Sequence, residues 1–126
     1  MNTMEIWHEI VKERNPQALD EILAPECVFY SPVLHTPQEG RELTKFYLTG
    51  AMMVFNDSFH YVKQVVTAEH AVLEFNCEID GIIIDGVDIL TFDEAGMITE
   101  FKVMIRPLKA LNLMLTKMNE MLKSQT

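Results

Sequence analysis

The run from Ile82 to Phe92 is apolar on both of its alternating faces, and it constrains the fold more than any other segment. Its length and its β-branched residues are typical of a buried strand. A strand with two apolar faces needs a covering layer on each side. Helices of the same chain can supply one layer, whereas the other requires a partner or a further layer.

Asp88 is the only charged residue of its parity in this run. Alternation places it on the face of Ile84 and Leu90, with Gly86 leaving a gap beside it. An ionised carboxylate is not buried alone, so its pKa rises or a hydrogen-bond donor is supplied. Asp88 is therefore either a structural carboxylate bonded to backbone or to a buried tyrosine or tryptophan, or part of a pocket.

The periodicity of the chain predicts an α+β fold, with helices over one face of a curved antiparallel sheet. Helical spacing and capping signals predict helices at 2–14, 15–25, 36–56 and 108–122, and alternation predicts strands at 26–31, 59–67, 71–79, 82–92 and 97–105. Asp80 and Gly81 form a two-residue hairpin signal. We expect residues 1–126 to be a single domain.

Charge and cysteine content exclude several classes of function. A net charge of −9 argues against nucleic acid or an anionic membrane as partner. No run approaches the ~18 apolar residues of a membrane span, and no signal peptide is evident, so a cytoplasmic protein is expected. Cys27 and Cys77 lack the spacing of a disulfide framework or a zinc site, and we expect no metal and no cofactor.

The order of these elements resembles the nuclear transport factor 2-like superfamily, specifically its SnoaL-like and ketosteroid-isomerase-like branch. The resemblance is carried by the segments Leu19–Ile22, Val28–Val33, Gly40–Tyr47, Val87–Phe92 and Asp93–Ile98. It implies a cone, in which a strongly bent sheet wraps a long helix opened by Gly40 and leaves an apolar pocket at its wide end. It also implies a homodimer formed through the outer face of the sheet.

The resemblance implies particular roles for a few residues. Isomerases of this branch use a carboxylate base just before a proline of the early strand, and that position is Ser31 here. Their oxyanion donors are a first-helix tyrosine, which falls at Ile10, and a protonated aspartic acid, which matches Asp88. A supporting tyrosine matches Tyr47. The missing base and donor argue against a ketosteroid isomerase reaction, whereas SnoaL-like cyclases need only the equivalent of Asp88.

Further candidates for ligand contact are polar residues near Pro32 and aromatic residues at core spacing. Tyr30, Ser31 and His35 lie where the resemblance implies the pocket rim, and ordinary loop chemistry with a surface histidine is the alternative. The aromatic candidates are Trp7, Phe46, Phe59, Tyr61, Phe75 and Phe101. Such aromatic residues are core by default, but in a cone the pocket is an unfilled end of the core. The methionine-rich last helix either packs on the sheet or covers the pocket.

These observations predict a protein that binds a small, mostly apolar molecule. Asp88 would be the general acid or hydrogen-bond donor, with Tyr47 beside it, in isomerase, cyclase or hydratase chemistry. A non-catalytic carrier or sensor and a protein-interaction module are the alternatives, so catalysis itself is left open. A cavity above ~300 Å³ with Asp88 in its wall would favour ligand binding, whereas a space filled by aromatic side chains would exclude it.

Overall fold

The computed structural model describes residues 2–124. Its helices are α1 (Thr3–Glu13), a 3-10 helix (Pro16–Glu21), α2 (Arg41–Val54) and α3 (Leu108–Ser124), and its strands are β1 (Leu23–Tyr30), β2 (Gln38–Glu39), β3 (His60–Val66), β4 (His70–Ile79), β5 (Ile82–Phe92) and β6 (Ile98–Arg106). The α+β class and the cone shape are confirmed. None of the helices within the described range is long and apolar enough to cross a membrane.

The sheet is curved and open, and its six strands follow the order β2-β1-β6-β5-β4-β3. Four of its neighbouring pairs are antiparallel. Three of them join the consecutive strands β3 to β6, as expected, and the fourth joins β1 to the short strand β2, which was not expected. The pairing of β1 with β6 is parallel, which the sequence did not indicate. Residues distant in the chain meet there, and local periodicity specifies neither the partner of a strand nor its direction.

Two predicted helix boundaries were wrong. The helix expected to reach Pro25 ends at Glu21, and β1 begins at Leu23 and includes Pro25 at an irregularity of its pairing with β6, where proline is tolerated. The helix expected from residue 36 begins at Arg41 instead. Residues 38–39 pair with β1, and Gly40, at a φ of 101° that favours glycine, forms the N-cap of α2.

The hairpin between β4 and β5 forms where the sequence placed it. Asp80 and Gly81 have φ values of 52° and 78°, the left-handed pair that a type I′ turn needs. This turn sets the register that places Phe75 opposite Gly86. The gap expected beside Gly86 is filled by Phe75, because an added Cβ would overlap the Cζ of that ring.

The two faces of β5 have different surroundings. Its inner face, which includes Ile84 and Leu90, is buried under the helices of the chain. Its outer face is open: Ile83 is 59% exposed, and on the same face of the sheet Met104 of β6 is 49% exposed. The chain therefore covers one of the two apolar faces by itself.

Candidate functional site

A cavity of about 590 Å³ lies between the inner face of the sheet and all three α-helices. Most of its lining is apolar, with contributions from Phe29 and Phe101 on the sheet, Leu48 on α2 and Met114 on α3. Its size exceeds the ~300 Å³ at which small-molecule pockets begin. The aromatic residues of the core therefore surround this space and do not fill it.

Asp88 lies in the wall of this cavity and is only 6% exposed. The hydroxyl of Tyr61 donates a hydrogen bond of 2.8 Å to its Oδ2. The indole Nε1 of Trp7 in turn donates to the Tyr61 hydroxyl oxygen over 3.0 Å. Three residues from α1, β3 and β5 thus form one directed chain of hydrogen bonds, and the chain ends at Asp88.

Burial controls the ionisation of this pair. It raises the pKa of Asp88 from 3.8 to about 7, and the Tyr61 hydrogen bond opposes only part of that rise. Burial, followed by the nearby Asp88 charge, raises the pKa of Tyr61 well above its usual value. Tyr61 therefore remains a protonated donor at neutral pH, while both forms of Asp88 are populated.

The hydrogen-bond partner of Asp88 is Tyr61, whereas the resemblance pointed to Tyr47. Tyr47 does line the cavity, but its ring stacks on Phe29 with centroids 5.5 Å apart. Tyr61 lies on β3 and Asp88 on β5, and β4 lies between these strands and pairs with both. Both side chains line the cavity, so the Tyr61 hydroxyl reaches the carboxylate across β4. Alternation in the sequence indicates which side chains share a face of the sheet with Tyr61, but it does not identify Asp88 as the neighbour of Tyr61 across β4.

The structure brings together most of the residues expected to contact a ligand. Those in the cavity wall are Trp7, Ser31, Tyr47, Phe59, Tyr61, Phe75, Asp88 and Phe101. Tyr30, His35 and Phe46 are not in that wall. Tyr30 points to the outer face, where Lys102 Nζ lies 5.1 Å from its ring centroid, because alternation along β1 turns Phe29 inward. His35 is exposed in the loop after β1.

Ser31 occupies the position of the expected base, and its hydroxyl is already engaged. The Val33 amide donates to its Oγ over 3.1 Å, which closes a tight turn after β1. Ile10, at the position of the expected tyrosine donor, is 2% exposed within the core. The two replacements inferred from the sequence thus leave neither a base nor a donor at these positions.

The cavity wall also includes residues of α1 and α3 that were not among the expected ligand contacts. His8 of α1 is half-buried in this wall, and its ring lies 5.7 Å from the Tyr61 ring, edge to face. Met114 and Met118 of α3 also line the cavity. Their three-to-four spacing was visible in the sequence, although it does not distinguish core packing from a cavity wall.

Metal binding finds no support in the geometry. Across residues 2–124, no group of three or more histidine, cysteine, aspartate or glutamate side chains is placed to hold a metal ion. The polar groups whose hydrogen bonds lead to Asp88 are the donors Tyr61 and Trp7. Their arrangement suits proton transfer to a ligand oxygen better than coordination.

The curved sheet, the helices packed against it and the cavity between them define a nuclear transport factor 2-like cone. A family model described as a SnoaL-like domain matches residues 4–101, and the chain belongs to this family. A sequence search of curated proteins gave no match.

Solved structures of this fold include enzymes. A steroid delta-isomerase from Pseudomonas aeruginosa is 33% identical, with 98% of this chain and 90% of that chain covered and a TM-score of 0.92. An uncharacterized bacterial protein with a cystatin-like fold from Silicibacter pomeroyi DSS-3 is 27% identical, with 94% and 83% covered and a TM-score of 0.87. The epoxide hydrolase/cyclase-like enzyme SalBIII shares the fold at 17% identity, with 84% and 92% covered and a TM-score of 0.67.

Proposed function

We propose that this protein binds a small, mostly apolar molecule in the cavity and that Asp88 donates a proton or hydrogen bond to an oxygen of that molecule. The observation that carries the proposal is the row of hydrogen bonds from Trp7 through Tyr61 to Asp88, which ends in the wall of a mostly apolar space. A small number of well-placed polar groups in such a wall fixes the orientation of a ligand.

The direction of the hydrogen bonds determines which carboxyl oxygen of Asp88 can contact a ligand. Tyr61 occupies Oδ2, so the other carboxyl oxygen is left for a ligand. With a pKa of about 7, that oxygen carries a proton in much of the population at neutral pH. A neutral carboxyl group is then a donor to a carbonyl, ether or epoxide oxygen, and in a water-poor cavity such a donor acts strongly.

A general acid of this kind supports isomerase, cyclase or hydratase chemistry. All three reactions develop negative charge on an oxygen, and Asp88 would stabilise or protonate that oxygen. Tyr47 and Ser31 would position the ligand from the other side of the cavity. Similarity to a steroid delta-isomerase at 33% identity over 98% of the chain supports this class of reaction.

A non-catalytic carrier is the second candidate function. The observation that favours it is Ser31, which stands where the resemblance expects a base and whose hydroxyl accepts the Val33 amide. A carrier would bind the same ligands through Asp88 but would transfer no proton. Binding and proton transfer are therefore measured separately.

The binding test compares 2-tetralone with tetralin, two molecules of the same shape that differ by one carbonyl oxygen. Calorimetry at pH 6 should show a tetralone preference of about 1 kcal/mol, or roughly fivefold, from the hydrogen bond to the carbonyl. Asp88→Leu should abolish that preference. Equal affinity of the wild type for both molecules would contradict the proposal.

Asp88→Asn is the matched control for protonation. The amide can still accept from Tyr61 and donate to a ketone, so the tetralone preference should persist. In the wild type the preference should decline above pH 7 as Asp88 ionises, whereas in this variant it should not change with pH. A parallel decline in both proteins would assign the pH effect to another group.

We also propose that the protein forms a homodimer through the outer face of the sheet. Exposed apolar side chains on that face support this, with Val65 at 62%, Ile83 at 59%, Met104 at 49% and Val72 at 39%. Sedimentation equilibrium should give a dimer for the wild type and a monomer for Ile83→Lys. A monomeric wild type would overturn the assembly without affecting the proposed ligand site.

A further inference from the structure

The cavity has a defined proton donor, but the position where the resemblance expects a base holds Ser31. In the cavity wall, the groups that could accept a proton near neutral pH, apart from Asp88, are His8, His60 and Asp57. Asp57 is fully exposed and forms a 2.7 Å salt bridge with Arg14. His60 is exposed, and its Nδ1 is bonded to a backbone carbonyl over 2.8 Å.

His8 differs from these groups because it adjoins the hydrogen-bond chain of Asp88. Its ring lies 5.7 Å from the Tyr61 ring with an interplanar angle of 74°, and the Tyr61 hydroxyl is 2.8 Å from Asp88. Trp7, the residue before His8, donates to the same hydroxyl. Helix α1 therefore contributes the indole of Trp7 to this row of hydrogen bonds and places the imidazole of His8 beside the Tyr61 ring.

The imidazole of His8 is available to react. Within residues 2–124, neither of its ring nitrogens forms a hydrogen bond or ion pair, and the contact of the ring is with the Tyr61 ring edge to face. Histidine side chains ordinarily change charge between pH 5 and 8, which suits a general base at neutral pH. A half-buried imidazole with a free lone pair thus faces the cavity in which Asp88 presents its proton.

We propose that His8 is the general base of this site, and that its substrates are ketones with a removable proton on the carbon next to the carbonyl. The proposal rests on the proposed function, because it requires Asp88 to hold the carbonyl oxygen. In such a ketone that oxygen and the carbon that loses the proton are only two bonds apart, so the proposal requires one ligand to contact Asp88 and His8 at the same time.

The proposed step conserves atoms and electrons. A ring nitrogen of His8 takes the proton from the carbon next to the carbonyl, and the electron pair of the broken C–H bond forms a C=C bond. The π pair of the C=O bond moves to oxygen, which accepts the proton of Asp88 and gives a neutral enol. Return of a proton from His8 to carbon, while the enol proton returns to Asp88, regenerates a ketone. If the proton returns to a more distant carbon of a conjugated enol, a double bond migrates.

The test measures proton exchange and needs no knowledge of the natural substrate. 2-Tetralone in D₂O is followed by proton NMR, which records loss of the signals next to the carbonyl. The wild type should accelerate this exchange above the buffer rate, and His8→Gln should lower the acceleration by ~100-fold or more. His70→Gln, which alters an exposed histidine outside the cavity wall, should exchange tetralone as the wild type does.

Two further measurements separate a base from a structural residue. Calorimetry should show that His8→Gln keeps the tetralone preference over tetralin, so its loss of exchange is not loss of binding. Added imidazole should restore exchange to His8→Gly, because a small base can occupy the space left by the ring. Wild-type exchange rates in His8→Gln, or a decrease without rescue by imidazole, would overturn the role of His8.

Failure of this inference is distinguishable from failure of the proposed function. A wild type that prefers tetralone to tetralin but does not accelerate exchange would overturn the base and leave a ligand carrier. A wild type that binds tetralone and tetralin equally would contradict the proposed function. The proposed role of His8 depends on that function and would be overturned with it. Exchange that persists in His8→Gln but disappears in Asp88→Leu would assign proton removal to a group other than His8.

Discussion

Asp88→Asn should stabilise the protein by an amount that increases with pH. In the folded state the pKa of Asp88 is about 7 because the carboxyl group is buried, against 3.8 for an unperturbed aspartate. The folded state therefore holds this proton more tightly than the unfolded state does. The wild-type free energy of unfolding should accordingly fall as pH rises from about 4 to about 7, with no further loss above that range.

The size of the effect follows from the two pKa values. Each pKa unit corresponds to 1.36 kcal/mol, so the interval from 3.8 to about 7 amounts to about 4 kcal/mol in total. The unfolding free energy of Asp88→Asn minus that of the wild type should rise by about 1.4 kcal/mol per pH unit up to about pH 7. Between pH 5 and pH 8 this difference should increase by about 3 kcal/mol.

Urea unfolding, followed by the fluorescence of Trp7, measures this difference at each pH. Trp7 is the only tryptophan of the chain and is buried against Tyr61, so its emission reports loss of the native cavity wall. Glu94→Gln, in the exposed turn before β6, is the control and should not reproduce the slope. A difference between Asp88→Asn and the wild type that stays constant from pH 5 to pH 8 would refute the buried-acid argument.

Three further predictions test the surroundings of the site. Tyr61→Phe removes a bond that lowers the pKa of Asp88, so the infrared carbonyl band of its protonated form should persist to higher pH than in the wild type; an unchanged midpoint would count against this. Gly86→Ala places a Cβ against Phe75 and should cost ~1–3 kcal/mol in urea unfolding, less in a Phe75→Leu background; an equal cost in both would exclude this clash. Burial raises the pKa of Cys27 to about 11, so native protein at pH 8 should resist iodoacetamide at this thiol until urea is added, as peptide mass spectrometry would show.

Local pattern predicted much of the fold because the energetics of these segments are local. Alternation over 71–79 and 82–92, with a left-handed pair at Asp80 and Gly81 between them, specifies a hairpin and the side chains on each face. Local pattern did not predict the segments whose structure depends on pairing with a distant strand. Residues 38–39 have helix-start spacing, yet they pair with β1 and delay α2 to Arg41.

The candidate site was predictable in part for a similar reason. A charged residue on an apolar parity marks Asp88 as buried, whatever surrounds it. The outward turn of Tyr30 depends on the register of β1 against β6, and that parallel pairing joins segments distant in the chain. Phe46 and Tyr47 are adjacent on α2, and only the packing of that helix decides which of them reaches the cavity.

The sequence by itself determined that one carboxylate would be buried on an apolar strand of an α+β cone, because burial of a charge depends on its own strand. Only the tertiary structure decided how that carboxylate is satisfied and what stands beside it. Tyr61 and Trp7 are separated by 54 positions, yet they meet at one hydroxyl. Their meeting depends on the register of β3 and the rotation of α1, and both arise from packing across the whole domain. The same orientation of α1 about its own axis places His8 in the cavity wall.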